Sequence, residues 1–447
     1  MSLSRRGAEA AKPDPNFFFW TILANLWHPS TNPGGYVSLG LAENTLMHDR
    51  LATHIGEHLS LAATDDFTYG DGKKRLRAAL ARFLGRHLRP ARALDAAHIS
   101  VANGCSAVVE HTAWALANPG EAFLLGRPYY GTFVPDVTMR MGARLEFVDF
   151  GDLDPLSVDA VARYEERLLE LKAQGVRVAA ILIANPHNPL GRCYSRNALL
   201  NFMRLCRRHG THLVSDEVYA LSVFPNTVDN DDDTSSSSSG SSSTPFCSVL
   251  SIDTASSEQD LVDPARVHCI WGVSKDFGAN GLRLGALISQ HNPALHAALV
   301  PVSLYSSTSS MTDRAVADAL TDDPWVDAYI AENRRLLADS HAHVVRWARA
   351  HAIQYAPGVN AAFFLWVDLG AAYRRGTGHA VADHDIDQVV NDALLRNRVF
   401  LASGVKFGSE KPGWFRIVFS QERSYLDEGL KRVVAAFQDP GTRTSKL

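Results

Sequence analysis

The sequence is short of the features that would direct it to a membrane, a nucleic acid or an oxidising compartment. Its 44 Lys and Arg against 48 Asp and Glu leave a formal charge of -4, so no basic face is expected to meet nucleic acid or an anionic lipid surface. Its 5 cysteines, Cys105, Cys193, Cys206, Cys247 and Cys269, are odd in number and scattered. They lack the paired spacing of a disulfide framework or zinc site, and a reducing, cytoplasmic setting is expected. The apolar run Phe17 to Trp27 is interrupted by Asn25 and falls short of the roughly 20 residues a membrane span needs. It is expected to be a helix docked on the body of the protein or on a partner subunit. Residues 1–15 are polar, carry Arg5 and Arg6, and are expected to form a flexible terminus without a cleavable apolar segment. What remains, 46% hydrophobic and 21% charged over 447 residues, is an ordinary globular composition with room for two or three domains.

The chemistry concentrates in the stretch Trp271 to Gly285, where Lys275 follows Ser274 and precedes spaced glycines and Arg283. A lysine amine condenses with aldehydes, and an arginine fork grips phosphate; pyridoxal phosphate carries both groups. A glycine-rich turn showing a surface lysine would spell the same letters. Other stretches narrow the choice. Short apolar strands at 122–125, 145–147, 178–184 and 212–215 alternate with helical stretches at 159–174 and 198–209, which predicts a mostly parallel sheet with ligands at its carboxyl edge. Polar residues cluster where those strands end: Pro128-Tyr129-Tyr130, Asn185 to Gly191, and Asp216-Glu217-Val218-Tyr219. Small residues from Asn103 to Ala107 open an apolar helix, a ready phosphate cup to which Ser106 adds a hydroxyl, although a serine there also reads as a cap. Gly40-Leu41-Ala42-Glu43-Asn44 ends a short strand before a helix from about Met47, and Tyr69 stands in the glycine-bracketed turn Phe67 to Gly72. On the helix after Asn44, His54-Ile55-Gly56-Glu57-His58 has the His-x-x-Glu-His spacing of some zinc proteases. With no third ligand indicated, it reads as a solvated helix face, and no metal is expected. His379, Asp383, His384 and Asp385 likewise read as solvated polar residues of a loop.

Taken together, Gly-Leu-Ala-Glu-Asn, Tyr69, Gly104 to Ala107, Pro-Tyr-Tyr, Asn-Pro-x-Asn-Pro-Leu-Gly, Asp-Glu-Val-Tyr, Ser-Lys-Asp-x-Gly-x-x-Gly-x-Arg-x-Gly and Pro412-Gly413-Trp414-Phe415-Arg416 resemble fold-type I pyridoxal-phosphate enzymes. Within the class I/II aminotransferase family the set is most similar to the 1-aminocyclopropane-1-carboxylate (ACC) synthases and their relatives. The resemblance implies an α/β fold, a large domain with a helix-sandwiched, mostly parallel sheet and a smaller α+β domain. It implies that Lys275 carries the cofactor as a Schiff base and then moves the Cα proton, while Asp216 faces the pyridine nitrogen. Asn188 and Tyr219 would bond the ring oxygen, and Tyr130 would stack on the ring. Cys105, Ser106, Ser274 and Arg283 would surround the phosphate, with Tyr69 supplied by the second subunit of a homodimer. Arg416 would clamp the substrate carboxylate, beside Ala42, Glu43 and Asn188. The expected large domain is 62–305, and 16–61 with 306–440 form the discontinuous small one. A low-complexity segment, 226–263, is too polar and serine-rich to build a core and is expected to be a mobile surface insertion.

Two positions depart from the pattern. Gly272 stands where the family usually has a phosphate-binding serine, and Ser403-Gly404 where plant ACC synthases usually have Pro-Gly. The implied reaction is a lyase step: carbanion formation at Cα and loss of a sulfur group, either from S-adenosylmethionine or by carbon–sulfur cleavage of a thioether or glutathione-derived conjugate, as in fungal epidithiodiketopiperazine metabolism. Glu43 favours this reading, since its carboxylate would face a sulfonium or the substrate amine. An ordinary aminotransferase shares every cofactor residue, and a non-enzymatic regulator remains a third class.

Overall fold

The computed structural model describes residues 2–12, 19–61, 66–67, 75–229, 243–256 and 260–438. A 7-stranded sheet runs through the larger body in the order Ile99–Ala102, Gly285–Ile288, Val267–Gly272, His212–Asp216, Val178–Ala184, Ala122–Gly126 and Arg144–Val148. Neighbours pair in parallel, save that Gly285–Ile288 is antiparallel to both of its own. The sequence dictates this burial: Val178–Ala184 has no polar member, and all of it is buried, as a strand covered on both faces requires. Leu199, Phe202 and Met203 of the helix Arg196–His209 cover one face, with Tyr164 and Leu168 of Ala160–Ala173. Val108 and Val109 of Cys105–Leu116 cover the other, with Phe133, Val137 and Leu295. Each such side chain contributes roughly 1.5–3 kcal/mol through burial. The helix Arg196–His209 starts where it does because the Ser195 hydroxyl accepts from the Ala198 N–H at 3.1 Å.

The smaller body is a 4-stranded antiparallel sheet, Ala402–Ser403, Trp414–Val418, Phe364–Asp368 and Gln354–Tyr355. The helices Asp383–Arg396 and Arg423–Gln438 pack on it through Ile386, Val390, Leu426 and Leu430. Val37 and Leu39 belong to the same core, and Val37–Ser38 pairs in parallel with Val399–Phe400. The long helix Asp323–Ala350 links the bodies: Val326, Tyr329 and Ile330 lie in the core of the first, Leu337 to Ala348 in that of the second. This is the α/β architecture expected.

Several expectations change. From the run Phe17 to Trp27 only Phe19–Leu23 is described as helix. Its Ile22 is fully buried and its Trp20 is 64% exposed, so one face docks. The segment 226–263 is not a surface insertion along its length. Asn226 Nδ2 bonds the Val359 carbonyl at 2.9 Å, Val249 N–H donates to Glu217 at 2.8 Å, and Val249, Leu250, Ile252, Leu261 and Val262 are buried. Apolar residues set among the serines give these flanks enough surface to fold into the body. Asp383, His384 and Asp385 are exposed, but they form the first turn of a helix, not a loop. His54 is not solvated: its ring is buried and stacks on Trp325 with centroids 3.9 Å apart. Among the described residues no helix is long and apolar enough to cross a membrane.

Candidate functional site

A cavity of about 210 Å³ opens at the carboxyl edge of the large sheet, room for roughly seven waters or one ring-sized ligand. Lys275 enters it from the one-turn helix Val273–Asp276, which directly follows the strand Val267–Gly272. Asp276 fixes that turn from beneath. Its buried carboxylate accepts from Leu221 N–H at 3.1 Å, Ser222 Oγ at 2.8 Å and Trp271 Nε1 at 3.0 Å. Lys275 Nζ then donates to the Ala42 carbonyl at 2.6 Å, an oxygen that Asn280 Nδ2 also reaches at 3.4 Å. Burial, and after it the nearby charge of Arg416, pushes this amine down to about 8, so about a tenth of it is neutral at pH 7.

Asp216 closes the strand His212–Asp216 and is buried at the cavity wall, one oxygen accepting from Val218 N–H at 3.2 Å. Burial pushes its carboxyl up to about 7. Tyr219 follows, buried edge-on against Phe363 and Phe364 at 5.2 and 5.3 Å. Tyr130 lines the same space, edge-on to Phe133 at 5.3 Å.

Opposite Asp216 the helix Cys105–Leu116 begins, and its Cys105 and Ser106 line the cavity with Ser274 and Arg283. The Ser106 hydroxyl is held by Asp136, a cavity residue whose carboxyl burial pushes up to about 7. Arg283 is anchored by Nη1 donating to the Asn280 carbonyl at 3.0 Å, and a side chain at Gly104 would collide with its guanidinium. Gly272 has a steric reason too: a Cβ there would come within 2.6 Å of the Leu284 carbonyl and 2.7 Å of Cys105 Sγ. The cysteine takes the space a serine would occupy, and burial pushes its thiol well up, so it is neutral.

The far wall belongs to the smaller body. Arg416, central in Trp414–Val418, is 4% exposed and lies 4.4 Å over the Phe364 ring and 4.7 Å over Phe407. Its Nη1 donates to Asn188 Oδ1 at 2.8 Å and its Nη2 to the Gly40 carbonyl at 2.7 Å, while its buried Nε has no partner among the described residues. Burial pushes it down to about 10, so it stays charged at neutral pH. Segment 40–44 therefore touches both cations, Lys275 and Arg416. Glu43 holds its place through its carbonyl, which accepts from Ser420 Oγ at 2.7 Å and Gln421 Nε2 at 3.2 Å. Leu41 is the part of the segment that lines the cavity, and the Glu43 carboxylate acts on Lys275 through its field.

Of the expected site residues, Lys275, Asp216, Asn188, Tyr219, Tyr130, Cys105, Ser106, Ser274 and Arg283 converge on this one cavity. Arg416 and Ala42 bond to its wall, and Tyr69 lies outside the described residues. Asp136, Asp276 and Asn280 were not anticipated. Asp276 carried a signal, an acid in a buried run beside the lysine; Asp136, in the first turn of the short helix Phe133–Thr138, reads locally as an ordinary helix-start acid. The donor set suits pyridoxal phosphate: an amine of lowered basicity for the aldehyde, an acid for the ring nitrogen, and a helix start with a hydroxyl and an arginine for the phosphate.

Residues 37–433 match the family described as Aminotransferase class I and II. The mouse 1-aminocyclopropane-1-carboxylate synthase-like protein 1 is 32% identical over 412 residues, which cover 90% of this chain and 76% of that one. 1-Aminocyclopropane-1-carboxylate synthase 4 of Oryza sativa is 32% identical over 463 residues, covering 97% and 89%. A human relative named probable inactive 1-aminocyclopropane-1-carboxylate synthase-like protein 2 is 29% identical over 424 residues, covering 92% and 69%. In three dimensions a Thermus thermophilus aspartate aminotransferase mutant superposes with a TM-score of 0.74 at 19% identity, over 98% of this chain and 100% of that one, which shows a shared fold. The chain belongs to the aminotransferase class I and II family, whose cofactor is pyridoxal phosphate.

Proposed function

We propose that this protein is a carbon–sulfur lyase of the ACC-synthase-like type. It would remove the Cα proton of an amino-acid substrate and expel a sulfur group from the same molecule. The observation that carries the reading is the double grip of segment 40–44, whose Gly40 carbonyl meets Arg416 and whose Ala42 carbonyl meets Lys275. The substrate carboxylate and the reacting amine would thus be set by one short piece of chain, and the Glu43 carboxylate, outside the cavity lining, would add negative field toward a sulfonium. Support also comes from the identity shared with proteins named ACC synthase and ACC synthase-like.

The cofactor, held at Lys275, supplies an electron sink conjugated to Cα. The chain's own groups do the rest. Lys275 Nζ, partly neutral near pH 7 because it is desolvated, takes the Cα proton. Asp216, ionised above about 7, would keep a proton on the ring nitrogen of the bound cofactor. Asn188 and Tyr219 would hold the ring oxygen, Tyr130 would cover the ring, and Ser106, Ser274, the backbone at Cys105 and Arg283 would hold the phosphate. Asp136 positions the Ser106 hydroxyl. Arg416 receives the substrate carboxylate, which would satisfy its orphaned Nε; a buried donor left unpaired costs about 1–3 kcal/mol. With S-adenosylmethionine the balance is simple: Cα–H breaks, Cα–Cγ forms, and Cγ–S breaks with its electron pair leaving on sulfur. The products are ACC and methylthioadenosine; a thioether conjugate is the second substrate class.

The functional unit would be a homodimer in which Tyr69 completes the partner's phosphate site. Val300, Leu304 and Tyr305 on the helix Pro293–Ser306, with Trp114 and Met139, leave large apolar side chains exposed, as a covered face would. Free thiols at all the cysteines suit a reducing compartment. The test is mass spectrometry after the cofactor-loaded protein meets S-adenosylmethionine. ACC with methylthioadenosine supports the reading, while transfer of the amino group to a 2-oxo acid without sulfur release replaces it with transamination.

A further inference from the structure

On the helix His48–His58 a cluster stands away from the catalytic cavity and takes no part in it. His54 and His58 are one turn apart, and their rings stack with centroids 4.2 Å apart at 29°. Against them lies Asp322, which caps the long helix Asp323–Ala350, one of its oxygens accepting from Trp325 N–H at 3.2 Å. His58 Nδ1 donates to the His54 carbonyl at 2.8 Å, which fixes the tautomer and leaves a lone pair on Nε2. The independent sign of a ligand is at His54. That residue is 4% exposed, and its buried Nε2 has no hydrogen-bond partner among the described residues. One ligand atom from each of His54, His58 and Asp322 lies within 4.8 Å of the others.

We propose that His54, His58 and Asp322 form a binding site for a divalent transition metal of the zinc class, with a fourth position open to water. Two imidazoles and one carboxylate are donors that zinc accepts and that calcium or magnesium, which prefer oxygen, do not. Bonds of about 2.0–2.2 Å set tetrahedral ligands roughly 3.5 Å apart, so the three groups must draw together by an ångström or so. The half of the site able to move is the exposed His58. His54 is clamped between the ring of His58 and that of Trp325, which stacks on it at 3.9 Å and 18°. Glu57, whose charge also reaches His54, adds negative field at the opening.

The sequence pattern His-x-x-Glu-His lacks a third ligand on its own helix, and the fold supplies one from Asp322, far along the chain. An ion there clips the start of the long helix, which spans both bodies, to the helix that follows segment 40–44. At the other end of that helix His48 Nε2 is 3.1 Å from the Gly278 carbonyl, so the clip would stiffen the wall that holds Lys275 and Arg416 without entering the cavity.

The experiment is isothermal titration of the cofactor-loaded full chain with zinc chloride, with cobalt(II) absorption as a second readout. Wild type should take one zinc ion per chain. His58→Ala and Asp322→Asn should each weaken binding at least tenfold, and cobalt should show tetrahedral bands without thiolate charge transfer. His58 is exposed, and asparagine keeps the helix cap, so both variants should fold, which circular dichroism checks; His58→Gln serves as a second variant at that position. No stoichiometric zinc in wild type, wild-type affinity in both variants, or a thiolate-bound cobalt spectrum would each overturn the site.

Discussion

The sheet side of the cavity holds its groups by local chain geometry, whereas the opposite side is assembled across long stretches of sequence. Lys275 projects from a turn that begins where its strand ends, and Asp216 is the last residue of another strand. Arg416 instead meets Gly40 across 376 positions and Asn188 across 228, and Lys275 meets Ala42 across 233. The sheet-side wall is a piece of the large core. The Arg416 wall, built from distant contacts, depends on how the two bodies sit together, and closure of one on the other is the natural way for it to respond to a ligand.

Variants on the two sides should separate accordingly. The largest effect is expected for Lys275→Ala, which removes both the attachment point and the group that moves the proton. Turnover should fall by roughly 10³-fold or more, with loss of the bound-cofactor absorbance; turnover that survives would remove Lys275 from the mechanism. On the far wall Arg416→Lys keeps a charge but loses the fork, and a charge-assisted bond of about 1.5–3 kcal/mol predicts a KM rise of roughly 10- to 100-fold with a smaller change in kcat. An unchanged KM would move the carboxylate elsewhere. Asp276→Asn, on the sheet side, places an amide where three donors converge. It should lower stability by about 1–3 kcal/mol in urea unfolding, with cofactor affinity falling alongside.

A pH profile sharpens the same contrast. Because the Lys275 amine is depressed to about 8 from its ordinary 10.5, its neutral form grows through pH 8 and not through 10.5. The rate of cofactor uptake by the apo-protein should therefore rise about tenfold per pH unit below 8 and level off above it. A rise that continues to pH 10 would mean an amine in water. An effect on stability like that of Asp276→Asn is expected for Gly272→Ser, where overpacking against Leu284 and Cys105 should cost about 1–3 kcal/mol. A serine that strengthened cofactor binding would show that the space is freer than the packing around Cys105 allows.

The same division explains what could be read in the sequence. The strand–helix alternation and the residues at strand ends are short-range patterns, so the parallel sheet and the cavity groups Lys275, Asp216, Ser106 and Arg283 were legible. Asp136 was not, because a helix-start acid looks alike whether it caps a helix or holds Ser106. The flanks of 226–263 misled because composition averages over Val249, Leu250 and Ile252, whose burial depends on the sheet they meet. His54 misled for the same reason: its helix face is solvated in isolation and is covered by Trp325 from a distant helix. The contacts of Arg416 with Gly40 and Asn188 were the least legible, since they span most of the chain.

Because one relative is named probable inactive, the most direct measurement is deuterium exchange at Cα. The cofactor-loaded protein is incubated in heavy water with S-adenosylmethionine and with a panel of L-amino acids, and label at Cα is read by NMR beside methylthioadenosine release. The account of a carbon–sulfur lyase predicts Cα exchange together with sulfur release in wild type and neither in Lys275→Ala. A fully loaded wild-type protein that exchanges no Cα proton and releases no sulfur product from any of them would contradict it.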